Sequence, residues 1–119
     1  MNLTAVLLVA IGGAAGSVLR YLTSVAALEW LGPAFPWGTL TVNAVGSFVI
    51  GAMAGAGVEG NARFLLVTGL LGGFTTFSAF SLEATMLWER APVLSVAYVA
   101  ASVALGVACC VAGFWLFRR

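Results

Sequence analysis

The side chains able to do chemistry in this 119-residue sequence are few and mostly neutral. There is no His, no Asp and no Lys. That removes the commonest catalytic base and most metal-ligand constellations. What stands out is one run, Gly72-Gly73-Phe74-Thr75-Thr76-Phe77-Ser78-Ala79-Phe80. Its phenylalanines recur every third residue, so Phe77 and Phe80 fall on neighbouring parts of one helix face. An aromatic ring carries positive partial charge at its edge. Ring edges beside amide and hydroxyl donors can therefore host a small anion. Taken alone, packing is the commoner role of such rings. The backbone of the run carries a second signal. Adjacent glycines are poor helix interior, and Thr and Ser offer the backbone local alternatives to the helix. A helix interrupted here would expose amides that attract anions and carbonyls that attract cations.

The elements that must position this run are apolar. The chain is 62% hydrophobic and 8% charged, a balance foreign to soluble domains. Charges occur only at Arg20, Glu29, Glu59, Arg63, Glu83, Glu89, Arg90, Arg118 and Arg119. They leave uncharged stretches at 2–19, 30–58, 64–82 and 91–117. A spanning helix needs about 20 apolar residues. The expected fold is therefore all-α: one transmembrane domain over residues 1–119 with four helices, about 3–28, 39–57, 62–89 with a break near 73–77, and 92–117. A break at membrane depth is tolerated only where the backbone is buried in protein or lines a wet cavity. No basic residue precedes the first apolar run and Gly12, Gly13 and Gly16 interrupt it, so it reads as a helix rather than a leader. So small a chain encloses little by itself, and an oligomer is expected.

Within this frame the polar residues have places. Thr39, Asn43 and Ser47 are spaced by four and share a face of helix two. Two readings stay open for Asn43: interhelical glue, or a donor facing a polar path. Tyr98 and Ser102 share a face of helix four. Gly12 and Gly16, and again Gly69 and Gly73, have the spacing that lets helix backbones approach closely. Arg20 can snorkel to the interface, pair with Glu83 or attract an anion to a vestibule. Pro33 and Pro36 end helices, and Trp30 and Trp37 suit the interface. Cys109 and Cys110 are adjacent, match no metal or redox spacing, and read as small packing residues. Arg63, Arg118 and Arg119 favour cytoplasmic termini, but the bias is small and compatible with insertion both ways.

Three segments carry a resemblance: Gly12-Gly13-Ala14-Ala15-Gly16-Ser17-Val18-Leu19-Arg20-Tyr21, Trp37-Gly38-Thr39-Leu40-Thr41-Val42-Asn43-Ala44-Val45-Gly46-Ser47-Phe48, and the run from Gly72 to Phe80. Together they closely resemble the CrcB/Fluc family of fluoride channels, in motif order and over nearly the whole chain. The resemblance implies an antiparallel, dual-topology homodimer in the cell inner membrane, with two fluoride pores each lined by both chains. Its implied partners are a second copy, fluoride and the lipid bilayer, with no nucleic acid. On it, Asn43, Phe77 and Phe80 match pore residues. Gly72 and Thr75 match residues whose carbonyls hold a central structural Na⁺. Tyr98 and Ser102 resemble a polar track, and Thr39, Ser78, Arg20 and Glu83 occupy familiar pore, vestibule or structural positions. Ala79 departs from the pattern, since members often carry Thr there, and removes a hydroxyl beside the ring pair.

The implied activity is passive, fluoride-selective export that protects against fluoride toxicity. A narrow path of neutral donors replaces the hydration of a small anion without binding it too tightly to leave. The main alternative is a small proton-coupled multidrug exporter of the four-helix dimer type. That chemistry wants a membrane carboxylate in helix one, where none precedes Glu29. A non-transporting scaffold fits the glycine pairs but not an interrupted helix. No enzyme is expected, because no nucleophile has a positioned base.

Overall fold

The computed structural model describes residues 1–119 and is entirely helical. Helix α1 spans Leu3–Leu31 and α2 spans Trp37–Gly55. The third apolar stretch, Gly60–Arg90, is built from α3 (Gly60–Arg63), a π-helical segment (Phe64–Leu71), α4 (Gly72–Phe74) and α5 (Ser78–Arg90). Helix α6 spans Pro92–Leu116. Four stretches are thus long and apolar enough to cross a bilayer. The molecule measures 45 × 29 × 26 Å, so its long axis matches a bilayer with its headgroups, about 40–45 Å.

Local chemistry sets the helix ends. Asn2 caps α1, its side chain accepting from the Thr4 amide at 2.9 Å. Helix α1 runs past Leu28 because nothing breaks it before Gly32, whose φ of 81° stops it. Pro92 occupies the first turn of α6, where its missing N–H costs nothing.

Two seams hold the bundle together. Helix α2 packs chiefly on α6, and α1 on the π-helical segment and α4. The α1 seam is made of backbone. A Cβ on Gly12 would collide with the Leu65 carbonyl and approach the Leu70 amide nitrogen to 2.8 Å. One on Gly16 would collide with the Leu70 carbonyl and come 2.8 Å from the Phe74 amide nitrogen. Only glycine permits this approach, and without a hydrophobic drive in lipid such contact supplies the association.

The interior is sparse. The buried apolar residues are Val42, Leu71, Leu87 and Tyr98, while long rows of Leu, Val and aromatic side chains stay exposed. In water that surface would be a liability. Against lipid tails it is the expected finish.

Candidate functional site

The site forms where α2, α5 and α6 meet the segment Thr75–Phe77, which stands outside the helices on either side. Thr75 is extended, with φ −89° and ψ 159°. Its amide and its hydroxyl both still donate to the Leu71 carbonyl, at 3.0 and 2.8 Å, closing the last turn before the segment. Beyond it the partners change. The Thr76 amide donates to Asn43 Oδ1 at 2.9 Å, and Asn43 Nδ2 donates to the Thr76 carbonyl at 3.0 Å. One amide side chain on α2 thus takes both backbone groups of a residue that the helix has released. The Thr76 hydroxyl accepts from the Ala79 amide at 3.1 Å and caps the start of α5.

Arg20 plays a matching part from α1. Its Nε donates to the Gly73 carbonyl at 3.0 Å. In an unbroken helix that carbonyl would accept from the Phe77 amide. The guanidinium replaces that donor and puts positive charge at the carbonyl end of a helix, where the dipole favours it. An Arg20–Glu83 pair does not form. Glu83 instead accepts from the Thr39 hydroxyl. Thr39 is buried, and its hydroxyl proton is committed to that carboxylate.

Two carbonyls are left over. No hydrogen bond of the protein ends on the carbonyl oxygen of Gly72 or of Thr75. Their ordinary helical donors, the amides of Thr76 and Ala79, are held by Asn43 and the Thr76 hydroxyl. Both residues line an open cleft of about 540 Å³ with Asn43, Ser47, Thr76 and Phe77. Free carbonyls on one rim suit a hard cation, which takes oxygen ligands.

The aromatic residues start at that cleft, which Phe77 also lines. Phe77 is 78% exposed, and its ring centroid lies 5.7 Å from that of Phe80. Phe80 lies 5.1 Å from the ring of Tyr98 on α6. Tyr98 is fully buried, and neither its hydroxyl nor that of Ser102 has a hydrogen-bond partner. Ser78 is exposed, its hydroxyl 3.4 Å from that of Thr76. A hydroxyl of Ser95 fastens α6 to α5 by donating to the Ala84 carbonyl at 2.6 Å.

The structure therefore gathers the residues singled out in the sequence into four groups. Asn43 and Arg20 hold the released backbone. Gly72 and Thr75 present carbonyls. Phe77, Phe80 and Tyr98 form a column of rings, with Ser102 one turn beyond Tyr98 on α6. Thr39 and Glu83 pair beside Arg90 in a second cleft of about 360 Å³. Sequence reasoning passed over Phe35, whose ring lies 5.3 Å from Tyr98 at 85°. The available signal was its position between Pro33 and Pro36, which stiffen the loop that carries it.

Known proteins match this chain along nearly all of its length. A protein-family model described as "CrcB-like protein, Camphor Resistance (CrcB)" matches residues 7–114. A Rhizobium etli protein is 56% identical over 120 aligned residues, covering 94% of each chain. A relative from Chelativorans is 51% identical, covering 94% of each chain. One from Rhodospirillum centenum is 49% identical, covering 95% of this chain and 94% of the relative. Each of the three is named "Fluoride-specific ion channel FluC". With its four apolar spans and this match, the chain belongs to the CrcB-like protein family.

Proposed function

We propose that this multi-pass membrane protein is a fluoride-selective ion channel. It works in the cell inner membrane as an antiparallel, dual-topology homodimer whose third membrane helix is interrupted at Thr75–Phe77. Fluoride leaves down its electrochemical gradient, and the cell is protected from fluoride that enters as HF. Relatives about half identical over nearly the whole chain carry that channel name, and channels are not enzymes.

The observation that carries the reading is the pair of buried, unpartnered hydroxyls on Tyr98, whose ring meets Phe80, and on Ser102, one turn further along α6. Burying a donor without an acceptor costs about 1–3 kcal/mol. A small anion passing along the column supplies the missing acceptor. Asn43 keeps one N–H beyond the one given to Thr76, since an amide has two donors. Ring edges of Phe77 and Phe80 add weak positive charge without a fixed cation. Such donors bind weakly at several points, which is what conduction needs. The full charge of Arg20 is kept on a backbone carbonyl.

The free carbonyls of Gly72 and Thr75 fit a structural Na⁺, and these two residues would hold it at the centre of the dimer. The ion would neutralise carbonyl dipoles that the protein leaves unpaired. Arg20 and Asn43 fix the backbone from which those carbonyls project.

Anion efflux from proteoliposomes loaded with fluoride or chloride tests the function. Fluoride efflux far above chloride efflux is expected. Equal rates, or no fluoride efflux, would refute the channel. For the ion, replacing Na⁺ by a bulky organic cation is expected to lower the melting temperature of the purified dimer. An unchanged melting temperature would remove Na⁺ from the reading.

A further inference from the structure

The aromatic column does not end at Tyr98. Ring centroids continue from Phe77 to Phe80 (5.7 Å), to Tyr98 (5.1 Å), to Phe35 (5.3 Å) and to Trp37 (4.6 Å). Five rings run without a gap from the released segment to the start of α2. Phe35 belongs to the loop between α1 and α2, yet that loop is closely held. Gly32 turns the chain at φ 81°, and Pro33 and Pro36 restrict the residues around it. The Trp37 amide donates to the Phe35 carbonyl at 2.8 Å. Arg90, the last residue of α5, donates through Nη2 to the Ala34 carbonyl at 2.9 Å, with the Pro33 carbonyl 3.4 Å away. The loop is therefore fastened to the helix that also carries Phe80.

The Tyr98 hydroxyl has Thr39 and the Glu83 carboxylate near it but no hydrogen bond of good geometry to either, so the packing of its ring carries much of its aim. The Tyr98 ring has Phe80 on it at 54° and Phe35 edge-on at 85°. We infer that Phe35 is a positioning residue for Tyr98, and that the loop held by Arg90 belongs to the conduction machinery rather than to the connections. The inference rests on the channel reading above. Phe35 itself need not touch the ion. It fixes where the Tyr98 hydroxyl points when an anion arrives.

The test uses the purified full-length dimer in liposomes, with fluoride efflux measured for wild type, Phe35→Leu, Phe35→Trp, Arg90→Ala, Tyr98→Phe and the Phe35→Leu/Tyr98→Phe double variant. Leu keeps apolar packing and removes the ring. It is expected to slow efflux between about twofold and tenfold, the range that one aromatic pair represents as a rate. Trp restores an edge contact and is expected to stay within about twofold of wild type. Arg90→Ala frees the loop without touching the ring and is expected to slow efflux in the same direction as Leu. The deciding readout is the cycle with Tyr98→Phe: once the hydroxyl is gone, Phe35→Leu is expected to cost nothing further. An equal cost with and without the hydroxyl would mean that Phe35 only packs, and would overturn the inference. So would wild-type efflux from Phe35→Leu. No fluoride efflux from wild type would instead overturn the channel reading itself, so the two failures are distinguishable.

Discussion

The two sides of the third span meet their neighbours in opposite ways. Before the released segment, α1 and the π-helical segment touch backbone to backbone through Gly12, Gly16, Gly69 and Gly73. After it, α2, α5 and α6 add side-chain contacts to the glycine approach of α2 and α6 at Gly51, Gly55 and Gly113: Asn43 on Thr76, Thr39 on Glu83, Ser95 on Ala84, Phe80 on Tyr98. The first side leaves over one backbone carbonyl, that of Gly72. The second leaves donors and ring edges unspent. A seam without side chains fixes position. A seam with surplus side chains has groups to offer an ion, while glycine contacts on both seams hold the frame.

Breaking the first seam is expected to have the largest effect. Gly16→Val drives a branched side chain into the Leu70 carbonyl, backbone that cannot step aside. Overpacking even a deformable core costs about 1–3 kcal/mol, so loss of the folded species, the proposed dimer, on size-exclusion chromatography is expected. A normal elution profile would show that the seam is looser than its geometry. Next comes Asn43→Asp, which loses the donor to the Thr76 carbonyl and places a negative charge on the proposed anion path. Fluoride efflux is expected to vanish while the dimer persists, and normal efflux would leave Asn43 as glue alone. Phe80→Ile keeps apolar bulk but removes a ring from between Phe77 and Tyr98. Efflux is expected to fall by up to about tenfold, and an unchanged rate would take Phe80 off the path. Arg20→Gln is the mildest. It exchanges a charged donor on the Gly73 carbonyl for a neutral one, with an expected thermal destabilisation of about 1 kcal/mol. A stability equal to wild type would show that the charge itself is idle there.

How much of this could be read beforehand depended on the reach of each signal. The spans were legible because charge is so rare that uncharged stretches mark them directly. The face shared by Thr39 and Asn43 was legible from their spacing. Their partners were not, because spacing within one helix says nothing of what another helix brings opposite. Arg20 shows the limit well: Glu83 offers the obvious charge, yet the structure gives the guanidinium to a carbonyl that exists only because the helix releases it. The π-helical winding of Phe64–Leu71 was invisible, since its residues are ordinary Leu, Val, Thr and Gly. Phe35 escaped because a loop aromatic has no periodicity to betray it.

The π-helical winding has a consequence for chain length. A π-turn closes over five residues where an α-turn closes over four. The segment Phe64–Leu71 therefore holds more chain per unit height than an α-helix would. It is the one part of the third span with slack. Loss of one residue there is absorbed by tightening the winding only where Gly69 and Leu70 keep their places against Gly12 and Gly16, and then Asn43 still meets Thr76. Loss of a residue between Phe74 and Ser78 has no such reserve: it would turn every side chain of α5 about its axis and carry Phe80 and Glu83 away from α6 and α2 together. Length variation in this span is thus permitted upstream of the released segment and forbidden within it.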